Sequence, residues 1–174
     1  MRKLRVATMV VVAVISSAPA SAQEDVQQHP SCKFCGMDRA KFAQTRMVIS
    51  YQDGSSTGVC SIHCAAVELA SNLDRAPAAI QVGDAVSRKL VDAEKATWVV
   101  GGAKPGVMTV RGKWAFESRE AAEAFRKENG GVLATFEEAL KATYEDMYTD
   151  LAMIRAKRKA MRSGGAEGHP GHMH

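Results

Sequence analysis

The chain has 174 residues, 24% of them charged and 6% aromatic, with a formal net charge of +4. That length suits one domain with a substantial core. No basic stripe interleaved with aromatic residues is present, which argues against a nucleic-acid surface. The one basic cluster, Arg155 to Arg162, reads as the solvated end of a helix, where cations complement the dipole.

Met1 to Arg5 is basic and Val6 to Ile15 is apolar, a run too short to span a bilayer. Ala20-Ser21-Ala22 has the small-x-small form of a signal-peptidase site, so 1–22 is expected to be a signal peptide cleaved after Ala22. No cysteine follows the apolar run directly, which argues against a lipid anchor. Removing Arg2, Lys3 and Arg5 leaves a formal charge of +1. A periplasmic location follows as the expectation, with no transmembrane segment in the mature chain.

Residues 23–31 read as a polar, mobile lead-in. Thr45 to Tyr51 alternates as a strand does, Asp53-Gly54 marks a turn, and Gly58 to Cys60 forms a short return strand. Ser61 is placed to cap a helix from Ile62 to about Leu73. Ala79 to Val86 reads as a strand and Lys89 to Asp92 as a weaker one. Thr97 to Val100 opens a second round, followed by extended stretches at Val107 to Val110 and Lys113 to Phe116. Ser118 caps a helix through Lys127, ended by Asn129-Gly130-Gly131, and Val132 to Ala134 is a strand.

Each half thus runs strand, strand, Ser-capped helix, strand. The fold class is α+β, a tandem of ββαβ units over about 32–92 and 93–135 within a domain of 32–162. Thr135-Phe136-Glu137-Glu138 is a capping box for a last amphipathic helix, 136–161. Its stripe of Leu140, Tyr144, Met147, Leu151 and Ile154 reads as packing, as does Met153. The tail, 163–174, is Gly-rich and expected to be disordered. Its His169, His172, Met173 and His174 either gather metal or simply solvate the end.

Chemistry concentrates in Cys32-Lys-Phe-Cys35-Gly-Met37-Asp38. Four cysteines in an exported chain suggest disulfides first. Zinc is the next reading: Cys32-x2-Cys35 with Cys60-x3-Cys64 makes a closed set of four thiolates. Zinc leaves Met37 unexplained, since thioether is a poor ligand for it. A redox dithiol normally opens a helix after a strand, and here a polar lead-in precedes the pair and Gly36 follows it. Copper(I) fits best, being soft and content with two or three thiolate or thioether ligands. Gly36 allows backbone angles that let the Cys35 and Met37 sulfurs converge. Cys32, Cys60, Cys64 and His63 are auxiliary ligands or, for the cysteines, disulfide partners. Cys64 is otherwise a small buried residue, and His63 a helix-surface one. No paired carboxylates, nucleophile motif or phosphate loop suggests an enzyme.

CxxCGM near the mature N-terminus resembles the NosL family. So do Trp98-Val99-Val100, Gly106-Val107-Met108, Trp114-Ala115-Phe116, "EAAEAFRKENGG" (120–131) and "LATFEEAL" (133–140), in that order. The resemblance spans roughly 32–140. It implies a tandem ββαβ fold and a periplasmic or outer-membrane Cu(I) protein that helps mature nitrous oxide reductase. It implies Cys35, Met37 and Met108 as the copper ligands; on sequence alone Met108 is a core or edge methionine. The leading expectation is therefore a non-enzymatic Cu(I) metallochaperone whose partner is a copper-receiving periplasmic protein. The alternatives are a disulfide- or Zn(II)-stabilised binding module and a thiol oxidoreductase.

Overall fold

The computed structural model describes residues 21–165. The expected signal peptide, apart from Ser21 and Ala22, and most of the expected tail with its histidines lie outside the described residues.

The chain begins with helix α1 (Ser21–Gln28). This is a correction to the mobile lead-in. Asp25, on α1, is buried and its carboxylate accepts from Arg39 and Arg46 at 2.8 Å each. A carboxylate so placed is held by two guanidinium forks, which fastens the segment to the domain.

Strands β1 (Met47–Tyr51), β2 (Ser56–Val59), β3 (Pro77–Gly83) and β4 (Leu90–Asp92) form an antiparallel sheet in the order β2-β1-β3-β4. Helix α2 (Ile62–Ser71) joins β2 to β3. Met47 faces Val59 and Val82 across the register, and Ile49 faces Thr57 and Ile80. Period-2 alternation puts these side chains on one face, and they are buried.

The second half repeats the plan. β5 (Thr97–Val100) lies between β6 (Lys113–Phe116) and β7 (Val132–Ala134), and α3 (Arg119–Asn129) connects the outer two. In each half the first strand is central and its neighbours are antiparallel to it, a tandem of ββαβ units in an α+β fold. Trp98 and Val100 join the main core, while Val99 turns to a small cluster under α3 with Trp114 and Phe116. A short strand buried on both faces reads as an unbroken apolar run, as TWVV does.

Local signals are largely realised. The Ser118 hydroxyl accepts from the Ala121 N–H at 3.1 Å. Thr135 and Glu138 exchange the two bonds of a capping box at 2.8 and 3.2 Å. Ser61 sits at the N-cap with extended backbone, yet its hydroxyl makes no cap bond.

Helix α4 (Phe136–Gly165) spans both halves. Its buried face is Phe136, Ala139, Ala142, Thr143 and Asp150. The expected stripe lies one step round: Leu140, Met147, Leu151 and Ile154 are half-buried and Tyr144 is exposed. Small residues let α4 approach α2 closely, so they, rather than the larger apolar ones, occupy the contact line.

Val107 to Val110 is not a strand. It is a looped segment in which Met108 adopts φ +61°. Gly106 and Gly112 close the loop, each with no room for a Cβ. Among the described residues no helix is long and apolar enough to cross a membrane.

A candidate metal centre of four thiols beside a methionine-lined cleft

The segment 32–38 folds as a closed knuckle. The Cys32 N–H donates to the Met37 carbonyl at 2.8 Å, and the Gly36 N–H donates to the Cys32 carbonyl at 3.0 Å. Gly36 has φ +73°, a left-handed conformation that a side chain would strain. Lys33 spans outward, its N–H bonded to the Gly58 carbonyl and its ammonium to the Glu68 carboxylate at 2.8 Å. Glu68 is fully buried and also accepts from Tyr51 and Thr57 at 3.0 Å each. The knuckle is thereby tied to β1, β2 and α2.

Arg39 holds it from behind. Its guanidinium donates to the carbonyls of Asp25, His29, Val59 and Met47 and to the Asp25 carboxylate. A planar fork with five donors fits such a set of acceptors, and a lysine could not satisfy it.

β2 ends at Val59 and delivers Cys60 to the knuckle; α2 delivers Cys64 from its first turn. The four sulfurs of Cys32, Cys35, Cys60 and Cys64 all lie within 4.8 Å of one another. Cys35 Sγ is 3.4 Å from Cys60 Sγ, and Cys60 Sγ is 3.8 Å from Cys64 Sγ. All four are free thiols, so none of the disulfides weighed from the sequence is formed. Cys32, Cys60 and Cys64 are buried and Cys35 is half-buried.

Within the group Cys32 and Cys35 are the thiols shifted toward the ionised form. Hydrogen bonds from Cys35 first, then Cys60 and Cys64, draw the Cys32 thiol far below its ordinary range. Cys35 is pushed up by Cys32 but drawn down by Cys60 and Cys64, and settles at about 7. Cys60 and Cys64 are raised, chiefly because they donate to Cys32 and Cys35. A thiolate is the ligand form for a metal, so the set fits a soft or borderline cation.

Met37 and Met108 do not sit inside this nest. They line a cleft of about 420 Å³ that opens beside Cys35, with Phe42 and the α4 residues Met153 and Met161. Met37 and Met108 also pack on the main core. Cys35 is the one cysteine that borders both the nest and the cleft. The structure thus places Cys35, Met37 and Met108 around one cleft, and Cys32, Cys60 and Cys64 with Cys35 in the adjoining sulfur group.

His63 is not part of the sulfur group, nor is it a helix-surface residue. α4 covers that side of α2, and the His63 ring is buried with Nδ1 3.4 Å from Asp150 Oδ2, without a well-aligned hydrogen bond. Burial lowers its basicity, against the pull of Asp150.

The acidic face of α4 escaped the sequence reading. Asp150 accepts from the Val110 N–H, while Asp146 accepts from Arg111 at 2.8 Å and Lys113 at 2.6 Å. These bonds anchor the loop that presents Met108. Asp146 and Asp150 stand four apart on one helix face, opposite two cations around Gly112; that pairing was the available signal.

Fold and site together define an α+β module built round a four-thiol nest of metal-ligating geometry. The NosL family model matches residues 23–144. The chain therefore belongs to the NosL family. Its fold is similar to that of the copper chaperone NosL from Shewanella denitrificans, with a TM-score of 0.50 and 22% identity over 62% of this chain and 87% of that one. No curated protein matches the sequence.

Proposed function

We propose that the protein is a Cu(I)-binding accessory protein of the periplasm that holds the ion for delivery to a cuproenzyme such as nitrous oxide reductase, and catalyses no reaction of its own. The observation that carries this is the convergence of four free thiols within 4.8 Å, with Cys35 bordering a cleft that bears Met37 and Met108. Soft sulfur ligands select Cu(I) over harder cations. Membership of a family that includes a protein described as a copper chaperone supports the reading. Cys35, Met37 and Met108 are the proposed ligands at the exchange face, and the three buried cysteines hold the ion more firmly behind them. The histidines and Met173 of the tail would add a weak gathering site. The client is a copper-receiving protein of the same compartment.

A second reading has its own support. A tetrahedral zinc site with Zn–S bonds of about 2.3 Å puts sulfurs about 3.8 Å apart. The spacings of 3.4 and 3.8 Å fall near that value. A structural Zn(II) would use the four thiols and ignore the methionines.

Anaerobic competition with a Cu(I) chelator decides between them. Reduced wild-type protein is expected to take up Cu(I), and Met37→Leu to hold it more weakly with the fold unchanged. Equal competition by both proteins removes the CGM copper site. Protein that is isolated with zinc and unfolds on chelation establishes the second reading.

A further inference from the structure

Helix α4 carries Met153, Lys157 and Met161 at intervals of four, so they rise along one face. Met153 is half-buried and Met161 is 73% exposed. Both line the cleft shared by Met37, Met108 and Cys35. Neither residue lies in the stretch matched by the family model, which stops at residue 144. Two exposed or half-exposed methionines serve no core, and packing would be met as well by leucine.

Eight residues of helix separate Met153 from Met161 by about 12 Å along the axis. The two therefore do not grip one ion together. They stand as successive positions, Met161 at the mouth and Met153 further in, before Met37, Met108 and Cys35. Met108 is held in a left-handed backbone conformation, φ +61°, rare for a residue with a side chain. Strain of that kind persists where the surroundings enforce it, here through the bonds from the loop to α4.

Charge gives the track a direction. Thioethers are neutral, so Cu(I) in the cleft keeps its positive charge beside Lys157 and Arg158, which also line it. Such a place loads and releases quickly and stores poorly. The thiol nest beyond Cys35 neutralises the ion and is the more stable seat.

We infer that Met161 and Met153 form a thioether entry track that conducts Cu(I) to Cys35 and the thiol nest. The inference rests on the copper reading above. At the last step a Cu–thioether bond breaks as a Cu–thiolate bond to Cys35 forms; the Cys35 proton leaves to solvent, and copper stays Cu(I) throughout.

The test is stopped-flow uptake of Cu(I) from a chelator complex by the reduced full chain. Met153→Leu/Met161→Leu keeps volume and helix propensity. Its uptake is expected to be several-fold slower, with final affinity and stoichiometry unchanged. An unchanged rate overturns the track. A loss of final affinity equal to the loss of rate also overturns it, because the methionines would then be resting ligands. A second arm uses Ag(I) as a closed-shell probe and ¹³C-methyl methionine spectra of Cys35→Ser, in which passage to the nest is cut. The Met153 and Met161 methyl signals are expected to shift, and their failure to do so overturns the inference. Wild-type protein that takes up no Cu(I) defeats the copper reading itself, an outcome separate from any of these.

Discussion

The Asp150 carboxylate on α4 accepts a hydrogen bond from the Val110 backbone N–H at 2.8 Å. Asp150 is fully buried, so this bond is made away from water. It fixes the loop carrying Met108 to the helix that roofs the cleft. Asp150→Ala leaves the Val110 donor without a partner and is expected to cost about 1–3 kcal/mol, the penalty for an unmade buried bond. Asp150→Asn keeps an acceptor oxygen and should recover most of that stability. Urea unfolding of the three proteins measures it; equal losses from both variants would show that the charge facing His63, not the bond to Val110, is what matters.

Acid should loosen the same loop through Asp146. Burial raises the Asp146 carboxyl, but bonds from Arg111 and Lys113 outweigh it and hold the group below its ordinary 3.8. A carboxylate whose folded value is depressed adds stability above the unfolded value, and loses it as pH falls through the folded one. Asp146→Asn is therefore expected to destabilise clearly at pH 7 and progressively less below about pH 4. Comparison with wild type at each pH removes the background from Asp84 and Glu68, which are also depressed. A difference that stays constant down to pH 2 would count against the pairing.

Arg39 is the support behind the CxxCGM knuckle. It is fully buried and joins α1, β1 and β2 to the segment that follows Met37. Arg39→Ala strands the Asp25 carboxylate with Arg46 as its remaining guanidinium partner among the described bonds. The expected loss is about 3–5 kcal/mol, as when one member of a buried charge pair is removed. Arg39→Lys is expected to fall well short of rescue, because an ammonium cannot supply the planar fork. Thermal unfolding followed by circular dichroism reads both, and a fully stable Lys variant would show that only the charge counts.

The strand and helix order was legible because its signals are local. Ser118, the Thr135–Glu138 capping box and the alternation of Met47, Ile49 and Tyr51 each act over a few residues. The four-cysteine set was also legible as one of several pairings, from the spacing of its two pairs. What could not be read was which surface α4 covers. That fact buries His63, turns Asp146 and Asp150 inward, and puts Met153 and Met161 beside Cys35. The same gap hid the form of Val107 to Val110, which reads as an extended stretch and is held as a loop by bonds to α4. Asp25 was missed because a polar N-terminal stretch gives no local sign of its distant arginine partners.

Cys35 should be the reactive thiol of the four. It alone is half-buried, and the other three are buried. Cys32 pushes its thiol up, but Cys60 and Cys64 draw it down further, to about 7. The thiolate is the nucleophile, so alkylation should quicken as pH rises through about 7, earlier than for an ordinary cysteine near 8.5. Brief treatment of reduced protein with iodoacetamide is expected to place one label, on Cys35, found by peptide mass mapping. Loading with Cu(I) should suppress it, because a thiolate bound to metal no longer offers its lone pair. Labelling that begins at Cys60 or Cys64 would mean the nest opens from the α2 side, and labelling unaffected by Cu(I) would place the ion elsewhere than at Cys35.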